Sequence, residues 1–242
     1  CKALESFNEI ATDKEVSDVY IVNSCTYSDT DDIHEASVVG ALVTSKAKCS
    51  GYAKALKLLL NRFGVESVLV SGNATDYSSN TQSHMWNAVR INSSWCYTDP
   101  TWNDPVNDDG KALSQHIFFN MTEDMLRRTH SDFEFNYECN DPSIYYYIIN
   151  NAFFTSCEKD NHPTVAAVIA AAVNNGEEKA EIMFSDKEAA DKAFECLFTD
   201  ENIYRILETA NLSTDSELVT DRIKYTVNEN ENLITFYFSV KE

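Results

Sequence analysis

The sequence predicts an α+β fold in two parts: a central helix packed on an antiparallel sheet, followed by a smaller α+β subdomain. Three observations predict it. Apolar residues after Cys49 recur at the three-and-four spacing of a buried helix face. Two β-rich runs flank Asn92-Ser93, residues suited to a two-residue hairpin turn. After Asp141 the composition shifts and the runs follow in the order β-α-β-α-β-β, which reads as a separate small sheet with helices. The expected boundaries are therefore 1–141 and 142–242.

Taken in order, residues 2–11 read as a helix through Leu4, Phe7 and Ile10, and residues 13–24 as a second through Val16, Val19, Tyr20 and Asn23, although its Val and Ile also fit a strand. Asp29 to Asp32 is a turn cluster, and Glu35 to Leu42 is a short helix that delivers the chain toward Cys49. In the central helix Tyr52, Ala55, Leu56, Leu59 and Phe63 share the buried face, Lys54, Lys57 and Asn61 face out, and Gly64 suits the left-handed residue that ends it. Val65 to Ser71 reads as a strand, and Asn73 to Ser83 as a long polar loop leading to His84. His84 to Ile91 and Ser94 to Asp99 then form the hairpin, Pro100 ends it, and Thr101 to Gly110 is an acidic loop. His116 to Asn120 reads as a strand, Glu123 to Thr129 as a short helix and Ser131 to Asp141 as irregular.

In the second part, Tyr145 to Phe154 is strand-like, Thr164 to Asn174 is an Ala and Val helix capped by Gly176, and Ala180 to Phe184 is a strand. Asp186 to Glu208 is helical, and Arg222 to Val227 with Leu233 to Val240 closes the chain as a hairpin across Asn228 to Asn232. Nothing in this part carries the pattern of an active site.

Charge excludes two classes of function. Lys and Arg total 19 against 39 Asp and Glu, a formal charge of -20, so phosphate backbones and anionic membrane surfaces are repelled and no nucleic-acid partner is expected. The longest apolar run, Val165 to Val173, is about half the length a membrane-spanning helix needs. The lack of an initiator Met and of a signal peptide points to a fragment or processed form of something longer. Seven cysteines without a C-x-x-C pair argue against a zinc ribbon or a thioredoxin-type site, and the odd count leaves one thiol over if the others pair. Cys1 runs straight into Lys2 to Phe7, text that reads as domain and not as lipid tether. His116 and His130 lack ligand spacing and read as structural, and Asp104, Asp108 and Asp109 lack EF-hand spacing and read as a solvated loop, so neither metal nor cofactor is expected.

The residues that point to chemistry are Cys49, His84 and Asp99. A cysteine at the start of a helix meets unpaired N–H groups and the positive end of the macrodipole, which favour the reactive thiolate. A two-residue turn pairs Ile91 with Ser94, hence Trp86 with Asp99, and sets His84 on the same sheet face as Asp99, one diagonal step away. An imidazole that activates sulfur and a carboxylate that orients the imidazole make the residue set of a thiol enzyme.

Lys48-Cys49-Ser50-Gly51-Tyr52 after Gly40-Ala41-Leu42-Val43, then Leu69-Val70-Ser71-Gly72, His84-Met85-Trp86-Asn87 and Trp95 to Pro105 resemble, in this order, the transglutaminase-like superfamily of papain-like thiol enzymes, most closely its bacterial secreted or surface branch. The resemblance covers roughly Val19 to Asn140 and implies a papain-like core without a cofactor. It implies Cys49 as nucleophile, His84 as the base that later protonates the leaving amine, and Asp99 as the group that orients the ring. The backbone N–H of Cys49 is the first candidate for the oxyanion, with Tyr27 or Trp86 as side-chain candidates. Tyr27, Trp86 and Trp102 are the candidate substrate-binding residues, although Trp86, Trp95 and Trp102 read first as core and cleft wall and only second as substrate-stacking surfaces. The substrate implied is a protein or peptide, and the location, from the resemblance and the acidic, Asn-rich text, is outside the cell or on its surface. Hydrolysis of an amide is favoured over amine transfer because no walls that keep water out are identifiable; a non-catalytic peptide-binding or adhesion module is the reading of a different class.

Overall fold

A computed structural model describes residues 26–104 and 115–241. The two helices expected over 2–11 and 13–24, and the part of the acidic loop that holds Asp108 and Asp109, lie outside the described residues. The chain divides into two compact units, Cys1–Tyr146 and Tyr147–Glu242, and the elements are of the α+β class.

In the first unit, strand β1 (Thr26–Tyr27) lies parallel to β2 (Lys46–Ala47), with Tyr27 opposite Ala47. The short helix expected over Glu35 to Leu42 is instead a turn followed by a π-turn over Gly40–Thr44, closed by Ser45 in the left-handed region at φ 57°. β-branched Val39, Val43 and Thr44 are poor α formers, and the Thr44 hydroxyl bonds back to the Gly40 carbonyl at 3.1 Å, competing with the α ladder.

Helix α1 (Cys49–Arg62) buries Tyr52, Ala55, Leu56, Leu59 and Leu60, each large side chain contributing about 1.5–3 kcal/mol of burial, and Gly64 follows at φ 76° as expected. Lys54 and Lys57 leave the buried face but bend back to backbone carbonyls of Ala36 and Ser67. The helix lies on a four-stranded antiparallel sheet of order β5-β4-β3-β6, built from β3 (Ser67–Thr75), β4 (Thr81–Ile91), β5 (Ser94–Thr98) and β6 (His130–Ser131). Asn87 on β4 ties the two layers, its amide donating to the Ala53 carbonyl at 3.0 Å.

Two expectations in this unit are corrected. The polar stretch Asn73 to Ser83 is mostly strand: β3 and β4 pair continuously from Ser67↔Val89 to Thr75↔Thr81 and only residues 76–80 turn. Asp76 makes that turn, its Oδ1 accepting the N–H groups of Ser78 and Asn80 at 2.9 Å each. His116 to Asn120 is not a strand; it runs as a turn in which Asn120 takes φ 58° and its N–H donates to the Thr98 hydroxyl of β5 at 3.2 Å, just before the Tyr97↔Met121 bridge. Helix α2 (Glu123–Leu126), capped by the Thr122 hydroxyl on the Met125 N–H, is shorter than the span expected.

In the second unit, Tyr145 to Phe154 is not one strand. Aromatic and β-branched content suggested it, but the chain forms helix α3 (Tyr146–Ile149), reverses at Asn151 (φ 54°), and only then enters β7 (Phe153–Phe154). Helix α4 (His162–Asn174), β8 (Lys179–Phe184), helix α5 (Lys187–Phe194), a π-turn over Glu195–Thr199, helix α6 (Asn202–Asn211) and the hairpin β9 (Lys224–Asn228) and β10 (Leu233–Tyr237) complete it. The continuous helix expected over Asp186 to Glu208 is broken at Glu201, φ 58°, with no Gly or Pro to announce it. The sheet order is β7-β8-β10-β9, and Val165, Ile169, Ile182, Leu197, Ile206 and Phe236 fill its core.

Candidate active site

The two-residue turn forms as the sequence demands: Asn92 takes φ 56°, Ile91 pairs with Ser94, and the register runs on through Asn87↔Thr98. Asp99 follows directly, and its Oδ2 meets His84 Nε2 at 2.6 Å. With Nε2 engaged by Asp99, Nδ1 is the ring nitrogen left for another partner, and His84 lies near enough to Cys49 for the two to shift each other's titration, with the Met85 N–H acting on the sulfur in the same sense as His84. His84 and Asp99 are therefore in direct contact, with Cys49 beside them. Cys49 is half-buried at the first residue of α1, while His84 and Asp99 are buried.

The charge state follows from those contacts. Burial alone would raise the Cys49 thiol, but the His84 hydrogen bond and charge outweigh it and hold the thiol below its ordinary value. Burial likewise pushes His84 down, yet the Asp99 carboxylate, with help from Cys49, carries it up to about 10. Asp99, whose burial would raise it, is held well below the usual carboxylate range by the two imidazoles. A lowered thiol beside a raised imidazole shifts the balance toward thiolate and imidazolium, the form in which sulfur is nucleophilic and the ring holds a proton to give.

Asp99 is held from every side. Its Oδ1 accepts the N–H groups of Thr101 at 2.9 Å and Trp102 at 3.2 Å, and its Oδ2 also meets His130 Nε2 at 3.2 Å. The tautomer with hydrogen on Nε2 donates to Asp99, while Nδ1 accepts from the Thr129 hydroxyl at 2.9 Å. His130, read from the sequence as structural, is thus part of the site. It reaches Asp99 from β6, which pairs on the far side of β3 (Ala74↔His130) and brings the ring against Trp86 at 4.7 Å and Trp102 at 4.9 Å. No local pattern announces it. Gly72 permits this layer, since a Cβ there would stand 2.5 Å from the Ser131 carbonyl and 3.0 Å from the Trp86 ring.

The expected substrate-binding residues part company. Trp86 is fully buried with its ring 6.1 Å from that of His84, so it is a floor beneath the imidazole and cannot touch substrate, which corrects that expectation. Trp102 is half-buried, 5.8 Å from the His84 ring, and walls the site. Tyr27 is exposed beside Cys49; burial, Asp29 and the Cys49 charge raise its phenol, which therefore keeps a proton to donate. Asp104 is not solvated as expected: it is buried, accepts the Tyr52 hydroxyl at 2.6 Å, and burial pushes its carboxyl up to about 6. This contact fastens the loop after Asp99 to α1.

His84, Asp99 and His130 also place three groups of metal-ligating type close together. The 2.6 Å separation of His84 and Asp99 is that of a shared proton; two ligands at about 2.0 Å from a tetrahedral ion stand roughly 3.3 Å apart. The arrangement is one of hydrogen bonds.

Residues 13–100 match the family model described as Transglutaminase-like superfamily. A solved structure described as the crystal structure of a TGase is similar at 18% identity with a TM-score of 0.36, the likeness covering 44% of this chain and 31% of that one. No curated protein matches. Among the described residues no helix is long and apolar enough to cross a membrane.

Proposed function

From the match of residues 13–100 to the transglutaminase-like superfamily, we propose that the protein is a thiol enzyme that opens amide bonds of proteins or peptides through an acyl-enzyme on Cys49. The observation that carries this reading is the buried Asp99–His84 pair beside the half-buried Cys49 at the tip of α1. The thiolate attacks the amide carbon, a C–S bond forms, and the carbonyl oxygen takes up the charge. The Cys49 N–H at the helix tip and the Tyr27 hydroxyl are the donors proposed for that oxyanion. As the tetrahedral adduct collapses, the C–N bond breaks and imidazolium His84 gives its proton to the leaving amine. His84, now neutral, takes a proton from water, which attacks the thioester and releases the acid and the thiolate. Asp99 stays ionised throughout and holds the ring in the tautomer that faces sulfur.

The reading favours water over an amine as acceptor because Cys49 is half-exposed and solvent reaches a thioester formed there. Its setting is proposed to be the cell exterior or surface. Incubation with glutamine-containing peptides and a labelled primary amine tests both steps. Release of ammonia or new termini, abolished by Cys49→Ser and without amine incorporation, is the expected result. Amine incorporation would make the protein a transferase, and no turnover of any peptide would leave a binding module.

A further inference from the structure

A second convergence of donors stands in the second unit, outside the site above. Cys157 follows β7, His162 opens α4, and Cys196 sits in the π-turn over Glu195–Thr199. The two sulfurs and the imidazole nitrogen all lie within 4.8 Å of one another, and His162 Nε2 stands 3.4 Å from Cys196 Sγ. Zinc with Zn–S near 2.3 Å and Zn–N near 2.0–2.1 Å holds a sulfur and a nitrogen roughly 3.5 Å apart in tetrahedral geometry, so this edge is already at ligand spacing.

The surroundings hold the donors in place. The Asn161 amide donates to the Ser156 carbonyl at 2.8 Å, which links the residue before His162 to the residue before Cys157. The Asn202 amide donates to the Cys196 carbonyl at 2.8 Å and stands 3.8 Å from its sulfur, which fixes that side chain from the start of α6. Cys196 lies in the π-turn, and such single wide turns recur at functional sites. Cys157 is buried while His162 and Cys196 are half-buried, so an ion has a path in. Two thiolates cancel the charge of a dication, which lets Lys159 and Arg205 stand near His162 without opposing it.

We propose that Cys157, His162 and Cys196 bind a zinc ion, with the fourth position open to water. Two sulfurs and one imidazole are the donors that select zinc over calcium or magnesium. Binding releases the two thiol protons and involves no change of oxidation state. A Cys157–Cys196 disulfide is the competing use of two neighbouring sulfurs, but it gives the imidazole aimed at Cys196 nothing to do.

Cobalt reports on the site directly. The full chain, reduced and stripped of metal with a chelator, is titrated with Co2+ and then with Zn2+. The expected result is one Co2+ per chain, with the intense visible bands of a tetrahedral ion and a thiolate-to-cobalt band in the near ultraviolet, displaced by Zn2+. Cys49→Ser keeps the spectrum, and Cys157→Ser or His162→Ala weakens binding by at least about tenfold. If those variants do not fold, the unaltered chain still decides: Zn2+ must slow alkylation of Cys157 and Cys196 and leave Cys49 unaffected. A chain that shows no cobalt spectrum, a spectrum lost in Cys49→Ser, or a Cys157–Cys196 disulfide that forms in air with stoichiometric zinc present would each overturn the proposal.

Discussion

Asp99 shows how far a single side chain organises its surroundings. A fully buried carboxylate is costly unless every lone pair is met, and this one faces two backbone N–H groups and two imidazoles. Removing the second imidazole with His130→Gln takes away a hydrogen bond to a charged group, worth about 1.5–3 kcal/mol, so alkylation of Cys49 by iodoacetamide should slow by roughly 10–100-fold. An unchanged rate would make His130 packing alone. The raised His84 also gives a signed dependence on pH. A group whose folded value exceeds its unfolded value contributes stability that is complete below about pH 6.5 and lost as pH rises through the folded value, here about 10. Cys49, being lowered, contributes in the opposite sense, so the measurement belongs in a Cys49→Ser background, where Asp99 still raises His84. There Tm should fall between about pH 7 and pH 10, and adding His84→Gln should remove that fall. The closeness of His84 to Asp99 was legible because a two-residue turn fixes the register. His130 was not, because its approach depends on which distant strand pairs with β3.

At the scale of the elements, the tip of α1 is held by a close approach that one residue permits. A Cβ at Gly51 would stand 2.4 Å from the Glu35 carbonyl and 2.8 Å from the Ala47 Cβ. Ala in place of Gly inside a helix is ordinarily favourable by roughly 0.5–1 kcal/mol. Here the obstacle is backbone, so Gly51→Ala should instead destabilise by about 1–3 kcal/mol and slow Cys49 alkylation, both read by denaturant unfolding and mass spectrometry. A stabilised variant with unchanged reactivity would contradict the packing described. Long periodic elements such as α1 and α4 were readable, as was the hairpin carrying His84. What escaped were polar strand ends around Asp76 and Asn80, where turn residues hide a continuing ladder. The π-turns escaped as well, since they preserve helical composition while shifting the face.

For the whole molecule, the sequence showed an α+β chain with a composition break after Asp141, and the chain divides into two compact units between Tyr146 and Tyr147. The Tyr-rich stretch around that point favoured a strand on propensity, but it forms a helix and a left-handed reversal before β7 begins. The charge of -20 acts on the chain as a whole. Self-repulsion opposes the compact state, and raising salt from about 10 to 150 mM shortens the screening length from roughly 30 to 8 Å. Tm should therefore rise over that range; a flat or falling Tm would mean that the acidic groups are already compensated.

The most direct test of the central claim is the rate of Cys49 alkylation against pH, resolved by mass spectrometry from the other cysteines in the same chain. A thiolate already paired with imidazolium His84 should be modified at pH 6 at least about tenfold faster than half-buried Cys196, with the rate collapsing in His84→Gln. A Cys49 that reacts no faster than Cys196, and only as the pH rises through the ordinary thiol range near 8.5, would contradict it.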